Sequence, residues 1–495
     1  MKPLLLLLSS LTLLHSAFAA ETPNIVLINI DDLGYADIGP FGAKISTPNL
    51  DRMAKEGMKL TSHYAAPVCT PSRAAMMTGC YPKRVLPVPH VLFPAAAVGL
   101  SPKATTVAEV LKGAGYATTC IGKWHLGDQP EFLPTNQGFD SYYGIPYSND
   151  MGLGTEGSKS NPDQPLPKAG AKGKGKGKAG AAKADSEPET GIKGAAQPPL
   201  PLIEDHNVVE RVKAAQQHTF TRRYTERAVK FIREHQKKPF FLYLPHNAVH
   251  FPHYPHQDFM GKSGISLQKD WAIEVDWSVG QVLDTLRELK LDANTLVIFT
   301  SDNGGPLNQG ADNTPLRGSK GSTLEGGIRV CTIAWWPGRI AAGSETKAIT
   351  AHMDWLPTFG ALAHCKSVGE LKLDGKDISP ILLGKKEAAG HDVFYYYAGF
   401  NLQAVRSGAW KLHLGKNELY NLEEDIGEAK NVAAEHADIV AQLEKHAETM
   451  KADLGDKTKD APGVRELGRV ENPQPLIGTD GTVREGFNQI AKTLP

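Results

Sequence analysis

The sequence carries no excess of either charge, because its 54 Lys and Arg residues balance its 54 Asp and Glu residues. This neutrality gives no indication of nucleic-acid binding, and we expect no nucleic acid among the partners. Cysteine is scarce, which excludes a disulfide-stapled scaffold, and the odd total leaves at least one thiol unpaired. The cysteines are Cys69, Cys80, Cys120, Cys331 and Cys365. No later segment has the apolar length of a transmembrane helix, so we do not expect an integral membrane protein.

The N-terminal stretch MKPLLLLLSSLTLLHSAFAA has the composition of a secretory signal peptide. Lys2 gives a positive start, residues 4–14 are largely apolar but too short to span a bilayer, and Ala17-Phe18-Ala19 is a cleavage motif. We therefore expect residues 1–20 to be removed and the mature chain to be secreted or periplasmic.

The rest of the chain has the pattern of an α/β enzyme. Apolar strands alternate with amphipathic helices, beginning with PNIVLINI (23–30) and a helix at 46–57 that Thr47 would cap. This order predicts a mixed, mostly parallel sheet flanked by helices, and we assign residues 21–365 to a catalytic domain. Residues 366–495 are predicted to form a smaller C-terminal α/β subdomain with an antiparallel sheet, a late helix and a tail. Further predicted elements include helices at 105–115, 221–236, 267–289 and 436–455, and strands at 392–399, 402–415 and 418–422.

Residues 153–200 interrupt this pattern with a low-complexity Lys/Gly/Ala/Pro insertion. Its centre, KAGAKGKGKGKAGAAK (168–183), contains six lysines and no acid. We expect disorder there and interpret the segment as a solvated insertion. The alternative is a basic arm that recruits a polyanionic substrate or surface.

Four apolar strands end in polar residues, in the stretches IDDLG, IGKWHLG, LPHNAVH and FTSDNGG. In open α/β sheets, ligands bind beyond the carboxyl ends of the strands. Any one of these stretches alone is a weak signal, because a surface loop could carry the same polar residues for solubility. Together they predict one composite site.

Two of these strand ends supply oxygen ligands, namely Asp31, Asp32, Asp302 and Asn303. Three carboxylates and an amide suit a hard divalent cation such as Ca²⁺, whereas softer metals prefer Cys or His. The alternative is that each acidic pair caps a turn.

Cationic side chains are available to surround an anion. Lys123, Lys320 and Arg73 would supply fixed positive charge, and His125 could move a proton. The run HNAVHFPHYPH (246–256) suggests zinc, but no neighbouring Cys or acid completes a tetrahedral set, and one histidine acting as a general acid is simpler. These residue types predict an exported, metal-assisted hydrolase of a phosphate or sulfate ester, and they do not distinguish the two.

The stretch CTPSRAAMMTG (69–79) resembles the signature of the type I sulfatases. Other motifs of that family follow in order from about residue 24 to about residue 432, among them NIVLINIDDLGYAD, GKWHLG, GIPYSND, HFP, FTSDNGG and KGSTLEGGIR. The chain is most similar to the branch that contains arylsulfatase A and N-acetylgalactosamine-6-sulfatase. The resemblance implies an alkaline-phosphatase-like fold and hydrolysis of a sulfate monoester.

The resemblance also changes the expected chemistry of Cys69. In the family this cysteine is oxidised by a maturation enzyme to Cα-formylglycine (3-oxoalanine), and the hydrated aldehyde is the nucleophile. One hydroxyl attacks sulfur, and the second allows the covalent sulfate to be expelled. Pro71 and Arg73 belong to the sequence that directs this oxidation.

Further roles are implied residue by residue. The oxygen ligands named above would hold one Ca²⁺ together with the group formed from Cys69. Arg73 would orient that group, Lys123 and Lys320 would contact the sulfate, and His125 would act as base. His250, which precedes Phe-Pro, would protonate the leaving group, with His246 as the competing assignment. Ser148 would contact sulfate, or would simply be a turn residue. His253 and His256 have no matched role and are expected at the rim or surface.

The expected substrate is a sulfated carbohydrate or an aryl sulfate. One alternative is a phosphate or phosphonate monoester hydrolase of the same superfamily. Another is a non-catalytic protein that keeps Cys69 unconverted and binds sulfated glycans. No motif selects a particular sulfated compound or an oligomeric state.

Overall fold

The computed structural model describes residues 22–167, 189–489 and 493. The predicted signal peptide at 1–20 and the lysine-rich run at 168–183 lie outside the described residues. The flanks of the predicted insertion contain regular structure, because residues 154–156 form a short 3₁₀ helix and Leu200 begins a strand.

The strands are numbered along the chain. They are β1 (Asn24–Ile30), β2 (Met58–Leu60), β3 (His63–Tyr64), β4 (Val98–Gly99), β5 (Ala117–Ile121), β6 (Ser141–Gly144), β7 (Leu200–Glu204), β8 (Asn207–Val212), β9 (Phe240–Pro245), β10 (Thr295–Ser301), β11 (Arg329–Val330), β12 (Ile333–Trp335), β13 (Ser344–Thr346), β14 (Thr350–Ala351), β15 (Val393–Ala398), β16 (Asn401–Ser407), β17 (Trp410–His413), β18 (Glu418–Asn421) and β19 (Gly468–Arg469).

The α-helices are numbered in the same way. They are α1 (Pro48–Glu56), α2 (Cys69–Thr78), α3 (Pro82–Val85), α4 (Val107–Gly113), α5 (Ala214–Gln217), α6 (Phe220–Glu234), α7 (Leu267–Glu288), α8 (Glu325–Ile328), α9 (Trp355–Leu362), α10 (Ser379–Leu382) and α11 (Ala437–Leu454). Within the described ranges, no helix is both long and apolar enough to cross a bilayer.

One large mixed sheet organises the described part of the chain. Its strand order is β13-β2-β12-β10-β1-β9-β5-β6-β7-β8. The central strands β10, β1, β9, β5 and β6 run parallel, and antiparallel strands flank them. The prediction of a mixed, mostly parallel sheet is therefore confirmed.

Helices cover both faces of this sheet because β1 is apolar on both of its faces. Ile25 and Leu27 pack in one core with residues of α2, α4 and α9. Val26 and Ile28 pack in a second core with residues of α1, α6 and α7. A strand that is buried on both faces has a continuous apolar sequence, and NIVLINI is such a sequence.

Strand register brings the predicted site together. Ile30 pairs with Ser301 in the parallel β1–β10 ladder, and Asn29 pairs with Pro245 in the parallel β1–β9 ladder. The residues that follow these neighbouring strands therefore leave the sheet at the same edge.

A separate antiparallel sheet in the order β15-β16-β17-β18 lies in the C-terminal part of the chain. Its apolar side packs against α11 through residues such as Leu402 and Leu443. The segment predicted as one strand at 402–415 forms the two strands β16 and β17. Gly408, with a φ of 55°, lies in the turn between them and favours this turn because it has no Cβ.

The start of α1 differs from the prediction that Thr47 caps it. The Thr47 hydroxyl instead accepts a hydrogen bond from the Gly39 backbone at 2.8 Å. Asp276 of α7 takes the capping role, because its carboxylate accepts from the backbone N–H groups of Leu50 at 2.8 Å and Asn49 at 3.3 Å.

Candidate active site

Cys69 is the first residue of α2 and is 2% exposed. Ser72 holds the approach to this helix, since its hydroxyl accepts from the Ala66 N–H at 2.7 Å and donates to the Ala66 carbonyl at 3.1 Å. Pro71 lies in the first turn, where a backbone N–H would have no partner within the helix. Burial raises the pKa of the Cys69 thiol to about 11. The unmodified side chain is therefore a neutral thiol at physiological pH.

The predicted oxygen ligands surround the Cys69 sulfur. Ligand atoms of Asp31, Cys69 and Asp302 all lie within 4.8 Å of one another, and the same holds for Asp31, Asp32 and His250. Asn303 joins the group because its Nδ2 donates to Asp32 Oδ1 at 2.7 Å.

Two oxygens of this acidic cluster are buried without a hydrogen-bond partner among the described residues. They are Asp31 Oδ1 and Asn303 Oδ1. Buried polar atoms are rarely left unpaired, and oxygens of this kind are the ligands that Ca²⁺ prefers. The residues present therefore fit a hard divalent cation.

The carboxylates of the cluster have opposite pKa shifts. Burial acts to raise the pKa of Asp31, but the charges of Lys123, His250 and Arg73 hold it well below its ordinary range. Burial, reinforced by the negative charge of Asp31, raises the pKa of Asp302 to about 7. A cation between them would favour the ionised form of both side chains.

Arg73 lies beneath the acidic cluster and is fully buried. Its Nε and Nη2 donate to one oxygen of Asp302 at 3.0 and 2.8 Å, and its Nη2 lies 3.5 Å from Asp31 Oδ2. Its Nη1 donates to the Lys123 carbonyl. Both the acid at the end of β10 and the backbone after β5 are therefore held by one guanidinium.

Two lysine side chains reach the same cluster from different segments. Lys123 follows β5, and its Nζ contacts the Asp31 carboxylate and donates to Ser148 Oγ at 3.2 Å. Lys320 comes from the loop before α8, and its Nζ lies 2.7 Å from Asp32 Oδ1. The positive charge of Lys123 therefore lies on the Ser148 side of the cluster, and that of Lys320 lies on the Asp32 side.

His250 lies at the cluster, whereas His246 faces a helix. His250 Nε2 is 3.6 Å from Asp32 Oδ2, and the Ser148 hydroxyl is 3.3 Å from the ring nitrogens. Burial and the Lys320 charge lower the pKa of His250. His246 Nε2 instead lies 3.2 Å from the Ser278 hydroxyl of α7, and burial lowers its pKa to about 3.

His125 is buried, and its backbone contacts the first turn of α2. Its Nε2 donates to the Leu92 carbonyl at 2.9 Å, which leaves Nδ1 without a partner in the described structure. Thr70, next to Cys69, donates to the His125 carbonyl at 3.0 Å. Burial and the charges of Lys123 and Arg73 lower its pKa well below the ordinary value, so the ring is neutral.

The predicted site residues therefore lie in one cluster. The structure also describes the other histidines and the cysteines. His253, expected at the rim or surface, is buried, and its backbone N–H donates to Asn161 at 2.8 Å. All of the five cysteines lie in the described ranges, and none of them forms a disulfide there.

A second buried charge cluster was not predicted. Glu325, at the start of α8, accepts from Lys411 Nζ at 2.8 Å, Tyr64 OH at 2.7 Å and Tyr396 OH at 3.1 Å. Its backbone N–H donates to Glu428 at 2.7 Å. The quoted motif KGSTLEGGIR contains Glu325, but the pairing with a lysine of the C-terminal sheet has no local signal. This cluster fixes the loop that carries Lys320.

Comparisons with known proteins point to one family. The family model described as Sulfatase matches residues 23–365. Arylsulfatase A of Bos taurus is 38% identical over 421 residues, which cover 82% of this chain and 77% of the relative. N-acetylgalactosamine-6-sulfatase of Mus musculus is 37% identical over 433 residues, covering 83% and 75%. Steryl-sulfatase of Mus musculus is 36% identical over 467 residues, with the same two coverages of 83% and 75%.

Solved structures show the same similarity. Ps i-CgsB in complex with k-i-k-neocarrahexaose superposes with a TM-score of 0.71 at 32% identity and covers 87% of this chain and 93% of that one. The PsFucS1 sulfatase from Pseudoalteromonas sp. has a TM-score of 0.74 at 26% identity and covers 90% and 92%. With the sheet described above, these neighbours confirm the alkaline-phosphatase-like α/β fold.

Proposed function

The chain belongs to the sulfatase family and is a sulfuric ester hydrolase, and from this premise we propose that it is an exported enzyme that uses Cα-formylglycine formed from Cys69 and one bound Ca²⁺. The observation that carries the proposal is the position of Cys69. Its sulfur lies within 4.8 Å of carboxylate oxygens of Asp31 and Asp302, in a cluster of acids and fixed cations.

The protonation state of Cys69 supports its role as a precursor. A thiol whose pKa is about 11 is a weak nucleophile at neutral pH. A thiol that attacked sulfur would also keep a stable covalent bond. Conversion to the aldehyde, whose hydrate offers two hydroxyls, supplies a nucleophile together with a route for release.

Asp31, Asp32, Asp302 and Asn303 would hold the Ca²⁺, together with the group formed from Cys69. When bound, the ion supplies positive charge to a sulfate oxygen and to the nucleophile. The unpaired buried oxygens of Asp31 and Asn303 support this assignment.

The chain's own cations and histidines would then perform the remaining tasks. Lys123 and Lys320 bind and orient the sulfate, and Ser148, which contacts both Lys123 and His250, helps to position it. Arg73 holds Asp302 in place. His125, neutral through burial, accepts a proton beside residue 69.

His250 donates a proton to the departing ester oxygen. Its contacts with Ser148 and Asp32 place it at the cluster, while His246 is engaged with α7. A bound sulfate ester brings negative charge next to the His250 ring, which acts against the lowering of its pKa by burial and Lys320.

We propose the same domain division as above, with residues 21–365 catalytic and 366–495 C-terminal. The family match at 23–365 and the position of the β15–β18 sheet support it. The composition of residues 1–20 supports export, and a formylglycine-generating enzyme would be the maturation partner.

The substrate class we propose is a sulfated carbohydrate or an aryl sulfate. The names of the relatives, arylsulfatase A and N-acetylgalactosamine-6-sulfatase, support both. The solved relative that holds k-i-k-neocarrahexaose supports a carbohydrate.

The test combines mass spectrometry with a paired assay. The protein is produced in a host with a formylglycine-generating system, and the mass of the peptide containing Cys69 is measured. We expect an aldehyde at this position and faster turnover of nitrophenyl sulfate than of nitrophenyl phosphate. Only unmodified thiol, or faster turnover of the phosphate, would contradict the proposal.

A further inference from the structure

A cleft with three lysines opens on the C-terminal sheet, outside the site described above. It has a volume of about 480 Å³ and lies between the loop after β17 and the end of α11. We call it the lysine cleft, and its polar lining includes Asn401, Gln403, Lys416, Lys451, Asp456 and Lys457.

The lysine cleft carries uncompensated positive charge. Lys416 and Lys457 are exposed, and across the described residues neither lies within an ion pair. Lys451 shares its charge with Glu448 at 2.8 Å. The one acid of the lining, Asp456, accepts a hydrogen bond from the Leu402 N–H at 2.9 Å. Three lysines against one acid leave the lining with more positive than negative charge.

The lysine cleft adjoins the segments that carry the catalytic residues. Asn401 and Gln403 also line an inner cavity of about 190 Å³, whose wall includes Val68 and Gly321. These two residues are the chain neighbours of Cys69 and Lys320. Gln403 also accepts a hydrogen bond at 2.8 Å from Thr323, on the loop of Lys320.

We propose that the lysine cleft is an accessory subsite for a second sulfate group, so that the enzyme acts on a polysulfated chain rather than on an isolated monoester. This inference rests on the proposed function, because it takes the acidic cluster at Cys69 to hold the ester that is cleaved. Lys416 and Lys457 bind the neighbouring sulfate as point charges, and Gln403 and Asn401 offer amide donors to the connecting chain.

The strength of such contacts follows from their exposure. Each solvent-exposed ion pair contributes about 0.2–1 kcal/mol, so removing both lysines should weaken binding about two- to thirtyfold. Salt screens exposed charges over roughly 8–10 Å, so the difference should shrink as ionic strength rises.

The experiment compares two double variants of the full chain. Lys416→Gln with Lys457→Gln removes the two free charges, and Lys237→Gln with Lys445→Gln removes two exposed lysines elsewhere. Lys445 is on α11, the helix that also carries Lys451. Binding of dextran sulfate is measured by titration calorimetry at low and high salt, and nitrophenyl sulfate turnover is measured separately.

We expect the Kd for dextran sulfate to rise about tenfold at low salt in the Lys416/Lys457 variant and to stay near the parent value in the control variant. Nitrophenyl sulfate turnover should remain unchanged in both. Equal Kd values for the two variants, or tighter binding of duplex DNA than of dextran sulfate to the parent, would overturn the inference. If the parent protein does not hydrolyse nitrophenyl sulfate at all, the proposed function is contradicted. The calorimetric comparison still tests the lysine cleft, because it measures binding and does not depend on turnover.

Discussion

Glu274, near the start of α7, gives a sharp test of how this structure handles a buried charge. One carboxylate oxygen accepts the His256 N–H at 2.7 Å, and the other has no partner among the described residues. Burial raises its pKa to about 8, well above the ordinary 4.5. The folded protein therefore keeps this side chain neutral at a pH at which the unfolded chain has already released the proton.

The sign of the effect follows from this difference. The folded-state pKa is higher than the unfolded one, so the stability contribution is complete below about pH 4.5 and is lost as the pH rises toward 8. Each pH unit in that window is worth about 1.4 kcal/mol. Relative to Glu274→Gln, which cannot ionise, the parent should lose on the order of 3 kcal/mol between pH 5 and pH 8.

The assay is urea denaturation of both proteins at pH 5 and pH 8. Glutamine introduces amide donors at a buried position. This changes the free energy of unfolding of the variant by an amount that does not depend on pH. The informative quantity is therefore the change in the stability difference between the two pH values. Glu226→Gln, at an exposed position of α6, is the control and should show little change. A parent–variant difference that is the same at both pH values would refute the argument that burial keeps Glu274 neutral.

Three further predictions concern the site. Cys69→Ala should abolish sulfate release from nitrophenyl sulfate while the thermal midpoint stays close to that of the parent, and retained turnover would contradict the role of residue 69. Dialysis against a chelator should abolish turnover and lower the thermal midpoint, and Ca²⁺ should restore both better than Zn²⁺, because ligand binding stabilises the folded state. His250→Gln should lower kcat about 100-fold or more for an alkyl sulfate but less for nitrophenyl sulfate, whose leaving group needs less protonation. His246→Gln should not show that dependence on the leaving group, and an equal dependence would reverse the assignment of the two histidines.

The convergence of the site could be predicted from the sequence because parallel strands fix where their ends lie. Asp31 follows β1, Asp302 follows β10 and Lys123 follows β5, and these strands belong to the parallel centre of one sheet. An apolar run followed by charged residues is a local signal, and the common edge follows from the topology. Short-range pattern and long-range geometry agree here, so the polar residues alone predicted a composite site.

Other features depend on contacts that no local pattern encodes. Asp276 caps α1 from a helix more than 200 residues away along the chain, and Thr47, which has the expected residue type, points elsewhere. His253 is buried although it was expected at the rim or surface, and its backbone N–H bonds to Asn161 in a distant loop. In each case tertiary contacts outweigh the local preference on which the prediction was based.

The Glu325 cluster connects the C-terminal sheet to the loop that carries Lys320. Burial acts to raise the pKa of Glu325, but Lys411, Arg329 and Arg406 hold it well below its ordinary range, so the carboxylate stays ionised. A buried ion pair adds little net stability, yet the loss of one partner costs about 3–5 kcal/mol because it leaves a charge unpaired. Glu325 lies five residues after Lys320, and Lys411 lies on β17, so the antiparallel sheet holds the loop whose lysine reaches Asp32.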